Sequence, residues 1–130
     1  FLEMAGLDPM PDQHGDGVSL APLLKGAPSL DREAIFWHYP HYGNQGGTPG
    51  SSVRAGDFKL IEFFEDGKLE LYNLKDDLSE KNDLVKKMPA KTKELHTAML
   101  KWRKETSAPV PTEKNPQYDP KAVFKPRIRK

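Results

Sequence analysis

Between residues 34 and 74 apolar and polar positions alternate with the period of a strand, and glycine-bearing turns interrupt the runs. The pattern predicts four strands, at about 34–38, 51–54, 57–64 and 68–74. Ala55-Gly56 and Asp66-Gly67 are each expected at the centre of a two-residue turn, and Asp-Gly is a strong hairpin signal. In the last strand Leu69, Leu71 and Asn73 face one way, and Glu70, Tyr72 and Leu74 the other. Strand 57–64 is apolar on both sides (Phe58, Leu60 and Phe64 against Ile61 and Phe63), which places it centrally. Residues 39–50 hold Pro40, Gly43, Gly46, Gly47, Pro49 and Gly50, too many breakers for regular structure.

Helical spacing appears on either side. Phe1 to Gly6 reads as the end of an apolar helix whose earlier turns lie upstream. Residues 7–18 form a turn-rich linker. Ser19 can cap a short helix carrying Leu20, Leu23 and Leu24, stopped near Gly26. Asp77-Leu78-Ser79-Glu80 fits a capping box for a short helix to about Lys86. Pro89 suits the first position of a longer helix. Met88, Thr92, Leu95, Met99 and Trp102 make one stripe on it, with most lysines turned away. The sum is an α+β domain: a four-stranded antiparallel sheet with a long C-terminal helix across one face, and Trp102 and Tyr72 packed beneath that helix.

Composition narrows the function classes. A chain of 130 residues with 36% hydrophobic positions suits one modest core. A net charge of +1 argues against bulk capture of nucleic acid, and no apolar run approaches the ~18 residues of a membrane span. Without cysteine there is neither a disulfide nor thiol chemistry. The tail beyond Thr106 is Pro-rich and then basic (Lys121, Lys125, Arg127, Arg129, Lys130). With Phe124 the one aromatic among those basic residues, it reads as a solvated end.

Three stretches carry a family resemblance. Asp16-Gly17-Val18-Ser19-Leu20 with Pro22-Leu23-Leu24 and Gly26 is one. Ser52-Val53-Arg54-x-Gly56-Asp57-Phe58-Lys59-Leu60-Ile61 is the second. Leu71-Tyr72-Asn73-Leu74, with Asp77, Glu80, Asn82 and Leu84, is the third. In this order they resemble the C-terminal subdomain of sulfatases of the arylsulfatase, alkaline-phosphatase-like type. Leu78 stands where that pattern has proline, and Asp83 separates Asn82 from Leu84.

The resemblance implies a division of the chain. Residues 1–18 would be the remnant of a helix and linker from a missing N-terminal catalytic domain, 19–106 the subdomain, and 107–130 an extended basic tail. It also implies that the reactive formylglycine, made from Cys or Ser in a C/S-x-P-x-R signature, and a calcium ion belong to that missing domain. The present chain has no such signature, so no residue here is expected to be catalytic or to bind metal. His38 and His41 form an H-x-x-H pair that could suggest a metal, but Pro40 breaks the helix that would align the two rings, and a zinc site would need further ligands, none of them obvious.

The better candidates are substrate contacts. His38, Tyr39, His41 and Tyr42 offer imidazole donors and aromatic faces suited to sugar hydroxyls and rings. Arg54 could clamp an anion. Packing at a domain interface is the rival for the first four, and a pair with Asp57 the rival for Arg54. The partners implied are the N-terminal catalytic domain and a sulfated small molecule or glycan, with no nucleic acid or membrane. An uncovered sheet face would favour self-association. The family implies a periplasmic or secreted location. A self-sufficient carbohydrate-binding or structural accessory module is the alternative.

Overall fold

The computed structural model describes residues 1–13, 15, 17–43, 46–113 and 116. The expectations for Asp16 and for the basic residues from Lys121 onward lie outside the described residues. The chain divides into two compact units, residues 1–33 and the part from Ala34 onward.

In the first unit a 3-10 turn at Glu3–Ala5 is closed by Gly6 in the left-handed region (φ 72°). Helix α1 is Ala21–Leu24. The Ser19 hydroxyl accepts the Ala21 amide at 3.1 Å, but Leu20, not Ser19, holds the cap position, and the helix has no side-chain cap bond.

The second unit is a sheet of four antiparallel strands, β1 (Ile35–Tyr39), β2 (Gly50–Ala55), β3 (Phe58–Phe63) and β4 (Leu69–Asn73), in spatial order β1-β2-β3-β4. Helix α2 (Pro89–Glu105) lies over β2 and β3. The α+β class, the strand count and the helix across one face are therefore as expected. Register explains the core. Phe36, Val53, Leu60 and Leu71 form one row across the sheet, because Phe36 pairs with Val53, Val53 with Leu60 and Leu60 with Leu71. Val53, Leu60 and Leu71 meet Leu95 and Met99 of α2 and are fully or almost fully buried. Each such side chain stabilises the fold by roughly 1.5–3 kcal/mol.

Four local expectations are corrected. Gly56 and Asp57, one residue later than the sequence pattern placed them, form the first two-residue turn, since Ala55 pairs with Phe58. Gly56 supplies the positive φ of 57° there. The second turn is a four-residue loop, Phe64 to Gly67, closed by the Phe63 amide on the Lys68 carbonyl. Phe64 leaves the strand because its amide donates to the Pro49 carbonyl at 3.0 Å.

No helix forms over 77–86. The Asp77 carboxylate turns instead to the backbone amide of Asn82, at 2.7 Å. That bond, the Lys81 amide and the Asn82 side chain hold its pKa below the ordinary value. Glu80, at φ 54°, breaks any helical path. Its carboxylate pairs with Lys59 at 2.7 Å rather than reaching back to a cap. The irregular segment does other work. Leu84 donates to the Leu71 carbonyl and the Asp83 carboxylate accepts the Leu71 amide, which covers the outer edge of β4.

Tyr72 is buried, but on the side of the sheet opposite α2, since it pairs with Lys59 while Leu71 pairs with core Leu60. Its hydroxyl donates to Glu70 at 2.8 Å, and Glu70 also receives Lys68 at 2.6 Å. Burial first, and then Glu70, push the Tyr72 pKa far above its ordinary value. The bond to Glu70 and its charge raise that of Lys68. Both groups bind protons more tightly folded than unfolded. Their stabilisation is complete below about pH 10 and fades as pH rises beyond it. Tyr72→Phe should therefore cost about 1 kcal/mol at pH 7 and show a shallower alkaline loss. Urea melts from pH 7 to 11.5 test this; a slope identical to wild type would contradict it.

Candidate functional site

Strand alternation sorts the candidate residues onto two sides of the sheet. Phe36 and His38 face α2; Ile35, Trp37 and Tyr39 face away. His38 meets Phe64 at a tilt and Trp102 edge-on, and both ring nitrogens are engaged. Nε2 lies 2.8 Å from the Pro109 carbonyl, which can only accept, so Nε2 carries the proton. In the neutral ring, Nδ1 then accepts from the Ser51 hydroxyl at 2.7 Å. His38 thus ties the segment after α2 back to the sheet. Trp102 is half-buried rather than buried, its indole stacked on Phe36 at 5.0 Å and nearly parallel.

Tyr39 ends β1 on the open side, 55% exposed. His41 meets its ring edge-on at 5.5 Å. The Tyr42 hydroxyl donates to Glu65 at 2.8 Å, linking the two loops at this end of the sheet. Tyr39, His41 and Tyr42 therefore share one end of the sheet. Arg54 does not join them. It pairs with Ile35, at the far end of β2 from the Gly50 that pairs with Tyr39, a separation of about 13 Å at strand rise. Its Nε donates weakly to the Gly56 carbonyl at 3.4 Å, and no ion pair with Asp57 is present.

The open face carries shallow depressions. One of about 370 Å³ is lined by Trp37, Ser52, Arg54, Lys59, Leu74 and Glu80. A second of about 180 Å³ lies among Trp37, Tyr39, Thr48, Ile61 and Phe63. Gly50 is required beside it: a Cβ there would stand 2.7 Å from the Glu62 carbonyl oxygen. Trp37, 50% exposed, lies centrally and was not singled out by sequence reasoning. Its parity with Ile35 and Tyr39 was the available signal.

A charged cluster on the helix side was also missed. Arg103, buried, donates through Nη2 to Glu62 at 2.7 Å and lies over the Phe64 ring. His96 Nε2 is 3.4 Å from the same Glu62 oxygen, at ion-pair range but without hydrogen-bond geometry, and is buried without a donor or acceptor partner among the described residues.

Among the described residues no group of three or more His, Cys, Asp or Glu side chains could hold a metal ion. The acidic residues in the turns are engaged with amides and lysines, so these residues do not fit a calcium cage, and no step through calcium or formylglycine is assigned to them. No helix among the described residues is long and apolar enough to cross a membrane.

A four-stranded antiparallel sheet backed by one helix makes this an α+β domain. The family described as N-sulphoglucosamine sulphohydrolase, C-terminal, matches residues 1–105, and the chain belongs to it. It is 35% identical over 99 residues to a sulfatase of Formosa agariphila, covering 69% of this chain and 18% of that protein. It is 32% identical over 121 residues to an N-acetylglucosamine-6-O-sulfatase of Bacteroides thetaiotaomicron, covering 88% and 21%. Among solved structures, a protein in complex with its substrate D-glucosamine-2-N,6-O-disulfate superposes with a TM-score of 0.68 at 30% identity, over 88% of this chain and 24% of that one. The chain thus spans about a fifth of the length of the curated relatives it matches.

Proposed function

We propose that this domain belongs to a sulfatase that hydrolyses sulfate esters of a glucosamine-containing glycan, and that it closes one side of the active site and shapes specificity. The observation that carries the reading is the match over residues 1–105 to a C-terminal sulfatase family, whose relatives extend over four times the aligned length. The substrate class is supported by the 6-O-sulfatase named among the relatives and the sulfated glucosamine bound in the similar structure. The formylglycine nucleophile and calcium would be supplied by the catalytic domain, so this chain alone is inactive. The location that fits such an enzyme is periplasmic or secreted.

Within this reading Tyr39, His41 and Tyr42 form the rim that meets the sugar. His41 offers ring nitrogens, and Tyr39 presents an aromatic face suited to a pyranose. His38 supports this rim from below by fixing β1 against the segment after α2. Arg54, at the other end of the sheet, would reach only an extended anionic chain.

His41→Ala in the intact enzyme should lower kcat/KM on 6-O-sulfated N-acetylglucosamine about 10- to 100-fold, the scale of one or two lost hydrogen bonds to a bound sugar. The thermal midpoint should be unchanged, because His41 lies outside the core. Wild-type kinetics would remove the rim assignment.

A further inference from the structure

Charge is nearly balanced over the whole chain but not along it. Residues 57–80 hold eight acidic side chains against three lysines, whereas residues 81–104 hold eight lysines or arginines against two acids, Asp83 and Glu94. The second stretch is the segment leading into α2 and almost all of that helix. Four of its cations face an acid: Lys81 acts on Asp77, Lys91 pairs with Glu94, Arg103 with Glu62, and Lys101 with Glu105 as an exposed pair at 3.8 Å. The other four, Lys86, Lys87, Lys93 and Lys104, are exposed, and their ammonium groups have no hydrogen-bond or ion-pair partner among the described residues. Helix stability does not account for this. The first turn of α2 holds no acid, and Lys86, Lys87, Lys91 and Lys93 gather at the end where the helix dipole disfavours cations.

Helical geometry orders these groups. Lys93, Thr97, Lys101 and Lys104 follow at spacings of four, four and three, so they share one face, and all are exposed. Thr92, Leu95, Met99 and Arg103 are buried on the face turned to the sheet. From Lys93 to Lys104 the helix rises about 16 Å, further than one sugar ring extends. Helix α2 runs from Lys91 over Phe58 to Arg103 over Phe64, and the next residue, Glu65, receives Tyr42 of the rim. The lysine row therefore starts at the rim's end of the sheet and leads away from it.

Resting on the sulfated-glycan reading above, we infer that this row is an exosite, a second surface that holds the sulfated length of a glycan chain while its end is hydrolysed at the active site. The occupant is argued from charge complementarity. Sulfate esters along such a chain are separate point anions, and a row of lysine ammonium groups offers separate point cations. A nucleic acid would look for stacking platforms, yet Trp102 is half-buried and stacked on Phe36. Lipid would look for an apolar face, and Leu100 is the exposed large apolar residue of the helix.

The intact enzyme is tested with three probes: 6-O-sulfated N-acetylglucosamine, a heparin-derived octasaccharide, and a single-stranded oligonucleotide of equal charge. Lys93→Gln, Lys101→Gln and Lys104→Gln combined should raise the octasaccharide Kd about tenfold in surface plasmon resonance, the scale of three lost surface charge contacts. Turnover of the monosaccharide should keep its wild-type kcat/KM. Arginine at the same three positions should retain wild-type octasaccharide affinity. Raising salt from about 50 to 200 mM should weaken octasaccharide binding more in the wild type than in the glutamine variant. Wild-type octasaccharide affinity in the glutamine variant would overturn the inference. An equal loss on the monosaccharide would also overturn it, by placing the effect at the active site or in folding. Oligonucleotide binding as tight as the octasaccharide's, and lost in the same variant, would assign the row to unselective polyanion capture and overturn it too. The sulfatase reading fails separately: no sulfate released from either sugar would remove it, while octasaccharide affinity that depends on these lysines left the exosite standing.

Discussion

Leu60→Ala is expected to destabilise the sheet unit by about 3–5 kcal/mol and to lower its thermal midpoint by roughly 15–25 °C. Leu60 is 0% exposed at the middle of the central strand, flanked by Val53 and Leu71 and covered by Leu95 and Met99. Truncation removes the transfer energy of the lost carbons and leaves a cavity that the sheet and helix, held by their own hydrogen bonds, cannot fill. A unit of this size has a total stability of about 5–10 kcal/mol, so most of it would be lost. The next residue provides the contrast. Ile61 points to the open side, and Ile61→Ala in the 130-residue chain should cost only about 1 kcal/mol. Urea denaturation of both variants measures the difference; similar losses would mean that the two sides of β3 are equally packed.

The second large effect is expected at Arg103. Its guanidinium donates to Glu62 at 2.7 Å and is buried, while Glu62 beside it is half-buried. Arg103→Met keeps much of the packing but leaves the carboxylate, whose side chain is only 16% exposed, facing His96 alone in poor geometry. Orphaning one half of such a pair should cost about 2–4 kcal/mol. Removing both charges with Glu62→Gln and Arg103→Met together should recover about 1–3 kcal/mol of that loss, measured as coupling in a double-mutant cycle. The exposed pair Lys101–Glu105 serves as the control, since Lys101→Ala should change stability by under about 0.5 kcal/mol. A similarly small effect of Arg103→Met would show that the buried pair behaves as a surface one.

The sheet was legible because its parity was unbroken. Val53, Leu60 and Leu71 recur at alternating positions, and Gly56 marks a turn that only a few residues can make. Helix α2 was legible from Thr92, Leu95 and Met99. Failures came where local signals competed with distant ones. Asp77 and Glu80 have the spacing of a capping box, yet Lys59, across the sheet, draws Glu80 away and Asn82 captures Asp77. Phe64 extends an apolar run, but its amide is claimed by Pro49.

The candidate site was legible as a cluster of residue types and not as a geometry. His38 and His41 are close in sequence, but alternation turns His38 toward α2, where a carbonyl 71 residues away binds it. No local pattern contains that partner. Arg103 was passed over because charged helical residues are read as solvated, although it lies four residues beyond Met99 and Glu62 has the parity of Leu60. Tyr72 had its orientation written in its alternation with Leu71, and the expectation of a helix above it overrode that signal.

We propose that catalysis belongs to the neighbouring domain while this one supplies the rim of the site. Ion-chromatographic detection of sulfate released from 6-O-sulfated N-acetylglucosamine, by the intact enzyme and by the 130-residue chain under the same calcium-containing conditions, tests it most directly. Release by the intact enzyme with none from the chain is the predicted result. Turnover by the chain itself, or a silent intact enzyme, would contradict it.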